Sequence, residues 1–546
     1  MSIDPADPTF PEQRRTVVLA AANQQAIARL LYDLVPLFIT DHRLHIRFTV
    51  IPGSRFEHAA HRFLRNLDLR VIPWKEVRAL KPDLIISASP SRKLHRTRAP
   101  FIVLAHGAGN HRRRADFGGK VYGVAPQQLL GPRRLLPWLK RRMPTWLPLA
   151  GEASIEALAR DCPEALSVAT VVGDLCLERM LSSLSEWRRY RSALGIARDQ
   201  KFILVSSTWG DQSLVGQGHA DLPERLLASL PMDEFVVGAA PHPNIENGDG
   251  GTLRGKLFPQ LRNGLIMPPL HEGWRAMVIA ADLVIGDSGS VTQYATAIGK
   301  PVLLGAFGFD QMFPEDPLTE LGREAPFINY DKPFAPQLLD AIERARRFDF
   351  DRVLSWRHNA GKLIAAEVYE MLDLSPRKPP EPPQLPPPET VDEHGPTRAW
   401  RLLVRFGTGY AERVRLPVST VEEASGTVVV RADCDDRPLK ARADVLLHHH
   451  ERLSPADARE EIDFHLEDWE HAGTVSVLTT GGHLLVGNRR GQVIGVRCAL
   501  ELIDDVAADL HVWLTEHAPD PAGLDAADSL EDFQRQFETP PTFFSL

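Results

Sequence analysis

Short apolar runs, each followed by a helix-spaced stretch, recur along this chain and restrict its fold more tightly than any other feature. Residues 16–21, TVVLAA, form an almost continuous apolar run of the kind buried on both faces of a parallel sheet. Directly after it, residues 24–38 place Ile27, Leu30, Leu31, Leu34 and Leu37 at helical spacing. Further strands are predicted over 45–51, 69–72, 83–87 and 101–105. The pattern restarts after Asp174, with a helix over 175–194, a strand over 202–206, a helix over 223–230 and a strand over 234–240. Strands at 265–267 and 283–285, a helix over 291–298 and a strand over 301–304 follow. Alternation of this kind predicts doubly wound parallel sheets, and its restart predicts two Rossmann-like lobes, residues 16–174 and 175–375, behind a polar tail of residues 1–15.

The 546-residue length allows a further unit. Residues 376–397 are expected as a semi-rigid linker, because the prolines from Pro376 to Pro388 in the stretch SPRKPPEPPQLPPPE lack backbone donors and fix φ. Residues 398–546 mix strands (413–418, 426–432, 475–478, 484–486, 493–502) with a helix over 457–470, and Gly481-Gly482 signals a hairpin. An α+β accessory domain is expected there. The net charge of −8 argues against a dedicated nucleic-acid binder. Four scattered cysteines form no CxxC pair, which excludes a Cys-rich zinc site and fits a reducing cytoplasm. The N-terminus has no signal-peptide pattern, and no apolar run reaches membrane-spanning length.

Three loops stand at the carboxyl ends of predicted strands, where open α/β sheets bind ligands. The first is Ala105-His106-Gly107-Ala108-Gly109-Asn110. Its glycines admit a ligand close to the backbone, and His106 titrates in the range a general base needs. A strand-end histidine that only bonds a carbonyl is the competing reading. The second is Ala240-Pro241-His242-Pro243-Asn244, whose prolines restrict the backbone around His242; the alternative is a turn that stops a strand. The third, Gly286-Asp287-Ser288-Gly289-Ser290-Val291-Thr292, offers N–H and O–H donors at a helix start and suits a phosphate, although Asp and Ser also serve as ordinary caps. It does not follow the Walker pattern, which disfavours ATPase chemistry.

Together these motifs resemble the CDP-glycerol glycerophosphotransferases of teichoic-acid synthesis, within the two-lobed GT-B group. The resemblance rests on His106-Gly107, on His242-Pro243, and on Asp287, Ser290-Val291 and Gly299-Lys300-Pro301 in ADLVIGDSGSVTQYATAIGKPVLL, and it covers roughly residues 15–375. It implies His106 as the base for an acceptor hydroxyl, His242 as a contact to the donor pyrophosphate, and Ser288 and Ser290 on its phosphate oxygens. Gly107, Gly109, Pro243, Asp287, Gly289 and Thr292 complete the expected donor site. Ala240 stands where the family has arginine, and Gln293 and Tyr294 stand where it has a ribose-binding acid. The same stretch is similar to the DSGG segment of UDP-sugar 2-epimerases.

The expected function is therefore transfer of a glycerophosphate or related group from a nucleotide-activated donor to a hydroxylated, polymeric or lipid-linked acceptor. A GT-B glycosyltransferase or epimerase is the second reading. A catalytically degenerate scaffold whose residues 398–546 bind a protein partner is the third. No cofactor is implied, and without a DxD-type carboxylate cluster no metal is expected in the cleft. Residues 131–149, GPRRLLPWLKRRMPTWLPL, interleave basic and apolar side chains, which suits peripheral contact with the inner membrane face as well as a solvated connection between lobes. His111-Arg112-Arg113-Arg114 is either an anion attractor or a solvated charge run. Trp209-Gly210-Asp211 stands at a further strand end. The His448-His449-His450 run lacks the ligand spacing of a defined metal site.

Overall fold

The computed structural model describes residues 14–132, 141–248, 252–269, 271–356, 359–377, 381–389, 397–407, 410–418, 425–517, 527–537 and 540–544. Residues 1–13 of the expected tail and 133–140 of the basic stretch lie outside them. The first lobe is built on five parallel strands, β1 (Arg15–Ala21), β2 (Leu44–Val50), β3 (Val71–Ile72), β4 (Leu84–Ser87) and β5 (Phe101–Val103), in the order β3-β2-β1-β4-β5. Val17, Leu19 and Ala21 of β1 enter one apolar cluster while Val18 and Ala20 enter another, so both faces of the sheet are covered. That is the physical reason the run is apolar at almost every position.

The second lobe repeats the plan with β6 (Lys201–Ser207), β7 (Phe235–Pro241), β8 (Leu283–Gly286) and β9 (Val302–Leu304), parallel in the order β7-β6-β8-β9. Phe202 and Leu204 pack on one side, Ile203 and Val205 on the other. The helix Ala360–Met371 returns to the first lobe, where Ile364, Ala365 and Val368 join the cluster of Val17 and Leu19. The chain is thus a two-lobed α/β protein of the GT-B type with a smaller C-terminal domain.

That domain holds a mixed sheet of β10 (Ala399–Gly407), β11 (Tyr410–Pro417), β12 (Thr427–Arg431), β13 (Val445–Leu453), β14 (Thr474–Thr479), β15 (Leu484–Asn488), β16 (Val493–Arg497) and β17 (Thr542–Phe544), in the order β11-β10-β12-β13-β14-β15-β16-β17. It sits on the second lobe: the Met232 N–H donates to Arg415 O at 2.8 Å, Asn263 Nδ2 donates to Val418 O at 2.8 Å, and Arg415 pairs with Asp233.

Several elements differ from expectation for identifiable reasons. The helix expected over 175–194 is two, Leu175–Ser182 and Trp187–Ala193, because the Ser182 and Ser183 hydroxyls both bond back to the Arg179 carbonyl and compete with the helical ladder. The helix over 24–38 is α only for Gln24–Ala28, then widens to a π segment, Arg29–Leu34. The expected strand 265–267 is a single bridge, Ile266 to Gly238. The strand begun at Val493 ends at Arg497 and yields to the helix Ile503–His517. Residues 381–389 of the proline-rich segment are docked: Leu385 is buried, its N–H donates to Ser183 Oγ at 3.0 Å, and its carbonyl accepts from Tyr190 Oη at 2.9 Å. Among the described residues no helix is long and apolar enough to cross a membrane. Arg141 and Arg142 of the basic stretch bond inward to the carbonyls of Gly131 and His95.

Candidate active site

A cavity of about 630 Å³ opens between the lobes at the carboxyl ends of their strands. Its walls include Gln25 and Arg29 after β1, His106 to Arg112 after β5, Thr208 and Trp209 after β6, Ala240 to Asn244 after β7, and Ser288 to Val291 after β8. His106, Gly107, Gly109, His242, Pro243, Ser288, Gly289 and Ser290 therefore share one chamber. Asp287 and Thr292, expected among the donor contacts, do not line it.

Asp287 is turned into the protein. Its carboxylate accepts N–H bonds from Gly289 at 2.8 Å, Thr208 at 2.9 Å and Leu214 at 3.0 Å, and Ser207 Oγ lies 3.2 Å away. Burial pushes its pKa up, against the pull of those bonds. It clasps the loops after β6 and β8. Thr292 is buried against the backbone of Gly286, where a Cβ would meet its hydroxyl at 2.1 Å. Lys300, matched in the GKP stretch, is likewise structural, with Nζ on the carbonyls of Ile279 and Ala281 at 2.6 and 2.8 Å.

The two histidines are held in opposite tautomers by their backbone neighbours. His106 Nδ1 lies 2.9 Å from the Ala88 carbonyl, an acceptor only, so Nδ1 carries the proton and Nε2 presents a lone pair. His242 Nδ1 instead accepts the Asn244 N–H at 3.1 Å, which puts the proton of the neutral ring on Nε2. Burial lowers the pKa of His106, opposed by its bond to Ala88. Burial, with Arg112 and His106 nearby, pushes His242 down to about 3. Both rings are neutral near pH 7: one is a base, the other an N–H donor.

The lobes meet at this point. The Ala108 N–H donates to Ser290 Oγ at 3.1 Å, and Gly107 passes so close that a Cβ there would stand 2.7 Å from the same oxygen. Because Ser290 Oγ accepts from Ala108, its own proton can be donated to a ligand. Ser288 Oγ is buried without a partner among the described residues. Among the described residues the helix Ser290–Ala297 has no side-chain cap, leaving its first N–H groups and its dipole to an anion. Arg112 adds positive charge beside these donors, with Nη2 3.5 Å from Thr208 Oγ1.

The basic run splits by role. His111 is buried on Asp316 at 2.9 Å, Arg112 faces the cavity, Arg113 lies 4.4 Å over the Phe313 ring, and Arg114 pairs with Asp116. Reasoning from sequence overlooked Gln25, whose Nε2 reaches from the first lobe to His242 Nδ1 at 3.3 Å and Asn244 Oδ1 at 3.3 Å. Its position directly after β1, another strand end, was the available signal. Also overlooked was the buried ion cluster on the cavity wall. Asp33 Oδ2 takes Arg29 at 3.1 Å and Arg275 at 3.0 Å, its Oδ1 takes Arg179 at 2.7 Å, and Arg29 continues to Asp174 at 2.5 Å. Burial would raise the Asp33 carboxyl, but Arg275, Arg29 and Arg179 override it and hold it at about 2. Tyr294, which with Gln293 stands where the family has a ribose-binding acid, donates its hydroxyl to Asp174 at 3.2 Å and belongs to this cluster.

No protein-family model matches the chain, and no curated protein matches it. Among solved structures it is similar to the UDP-GlcNAc 2-epimerase from Methanocaldococcus jannaschii, with 15% identity, 65% of this chain and 99% of that one covered, and a TM-score of 0.39. The wall teichoic acid polymerase TagF matches with 14% identity over 66% of this chain and 90% of that one, at a TM-score of 0.39. The UDP-GlcNAc 2-epimerase from Neisseria meningitidis matches with 12% identity over 65% and 100%, at 0.34.

Proposed function

We propose that this protein is a nucleotide-donor-dependent transferase that moves a glycerophosphate or related phospho-linked group to a hydroxyl acceptor. The observation that carries the reading is the pair of opposed tautomers, a basic Nε2 on His106 and an Nε2–H on His242, in one cavity with an uncapped helix start. The donor diphosphate would lie on Ser288, Ser290, the N–H groups of the helix Ser290–Ala297, Arg112 and His242. The acceptor hydroxyl would lose its proton to His106 Nε2 as its oxygen attacks phosphorus. The new P–O bond forms as the bond to the leaving nucleoside monophosphate breaks, with the developing charge held by donors already in place. Lining carboxylates are scarce among the described residues: Asp33 is locked by three arginines and Asp116 is paired with Arg114. That scarcity favours phosphoryl chemistry over an epimerase reaction run by carboxylates.

The test is nucleotide release from CDP-, UDP- and GDP-linked donors, with and without polyol acceptors, alongside equilibrium donor binding. His106→Ala is expected to lower turnover about 10²–10⁴-fold, the usual contribution of a general base, with donor affinity kept. His242→Ala is expected to weaken donor binding. Turnover by the wild type should fall on the acid side as His106 takes a proton, at a pH below the ordinary histidine value of 6.5. Donor binding without turnover under any condition would make the cleft a binding scaffold; absence of binding to every donor would end the reading.

A further inference from the structure

The C-terminal domain brings together a second set of chemistry-bearing side chains, none of which lines the cleft. In β13 successive residues point to opposite faces, so the three-histidine run divides. His449 goes one way, its Nδ1 2.6 Å from Asp504 and its Nε2 2.9 Å from Ser476 Oγ. His448 goes the other way, toward the helix Pro455–Asp468 that follows. That helix carries Glu461 and His465 one turn apart, hence on one face. His448 Nδ1 lies 3.2 Å from Glu461 Oε1 and 3.3 Å from His465 Nε2, and the last two atoms are 3.1 Å apart.

These three distances have a common explanation. Nitrogen and oxygen ligands about 2.0–2.1 Å from a tetrahedral zinc ion stand about 3.3–3.4 Å from one another, the edge of the tetrahedron. The triangle observed is within a few tenths of an ångström of that edge on every side. A neutral network accounts for it poorly. His448 Nε2 lies 3.1 Å from Glu451 Oε1, a carboxylate that takes the proton of the neutral ring and leaves Nδ1 as a lone pair. Only the single proton of His465 then remains for three contacts between acceptor atoms. The Glu451–His448 pair also has the form of the carboxylate–histidine arrangement that orients metal ligands.

We infer that His448 Nδ1, Glu461 Oε1 and His465 Nε2 form a binding site for a divalent transition-metal ion, zinc by the chemistry of its two-nitrogen, one-oxygen donor set. Glu451 orients His448, and a fourth ligand position stays open. The ion would tie β13 to the helix that leaves it. His448 and His465 are buried and Glu461 is partly exposed, so zinc has a route in from one side.

The full chain, stripped with a chelator, is titrated with zinc alone against a chromophoric competitor, and with cobalt for its visible spectrum. One zinc per chain, a four-coordinate cobalt spectrum and a zinc-dependent rise in melting temperature are expected. Glu461→Gln, close to isosteric, should abolish all three, and so should His465→Ala. Glu451→Gln should weaken zinc binding about 10–100-fold, the usual effect of losing an orienting partner. His471→Ala, an exposed histidine of the same domain, should change nothing. Should His465→Ala fail to fold, Glu461→Gln still decides. No stoichiometric zinc in the wild type, or zinc binding unchanged in Glu461→Gln, would leave a protonated histidine–glutamate network as the occupant and overturn the site.

Discussion

At the scale of single residues, the chemistry of His106 and His242 is set by one backbone atom each. A carbonyl beside Nδ1 makes His106 a base, and an amide N–H beside Nδ1 makes His242 a donor. Neither assignment is visible in the motifs HG and PHP. The environment of His242 also links it to stability. Its folded pKa near 3 lies below the ordinary 6.5, so between these values the unfolded chain binds a proton that the folded chain does not. Stability must therefore decline as pH falls from 6.5 toward 3. His106 and His95, the latter held near 4 mainly by burial, act in the same direction. His242→Gln removes one of these contributions. Urea unfolding at about pH 7.5 and about pH 5 should show a smaller acid loss in the variant than in the wild type; an equal loss would mean that His242 takes its proton freely in the folded state.

At the scale of elements, the loops after β5 and β8 are fitted to each other. Gly107 permits the approach that lets the Ala108 N–H reach Ser290 Oγ. Gly107→Ala is expected to lower the melting temperature by forcing the loops apart, because its Cβ would stand 2.7 Å from that hydroxyl. Adding Ser290→Ala should restore part of the loss, since the nearest remaining atom, the Cβ of residue 290, would be 3.8 Å away. Additive losses in the double variant would show that the contact is not what the glycine is for. The loop after β8 also explains why Asp287 departs from its expected role. Three converging backbone N–H groups hold its carboxylate inward, and Ser288, Ser290 and the helix start are what the loop presents to the cavity.

At the scale of the whole molecule, the cleft is braced by charges from distant parts of the chain. Asp33 belongs to the first lobe and Arg275 to the second, and their side chains are 0% and 5% exposed. Removing one partner of a buried pair leaves the other uncompensated, at a cost of about 3–5 kcal/mol. Arg275→Met should fall near the lower end, about 3 kcal/mol, because Arg29 and Arg179 still hold Asp33. Denaturant unfolding measures it, and a loss under about 1 kcal/mol would mean that the cluster is not a brace. The helix Ala360–Met371 and the docked segment 381–389 add two more returns of the chain, one into the first lobe and one onto the helices of the second.

The alternation of apolar runs and helical stripes made most strands of both parallel sheets legible, because burial on two faces leaves a central strand such as β1 apolar at almost every position. It also located the three loops of the cavity, since strand ends are a local property. Pairings between elements were not legible: Gln25 on His242, Asp33 on Arg179 and Arg275, His448 between Glu461 and His465. Periodicity says which face of an element is buried, and it is silent about what lies opposite. The C-terminal strands were partly readable, but their order was not, because a mixed sheet is joined by contacts that local pattern does not encode. The proline-rich stretch reads as a spacer from composition, and only the tertiary structure, by supplying Ser183 and Tyr190 as partners for its backbone, makes it part of the second lobe.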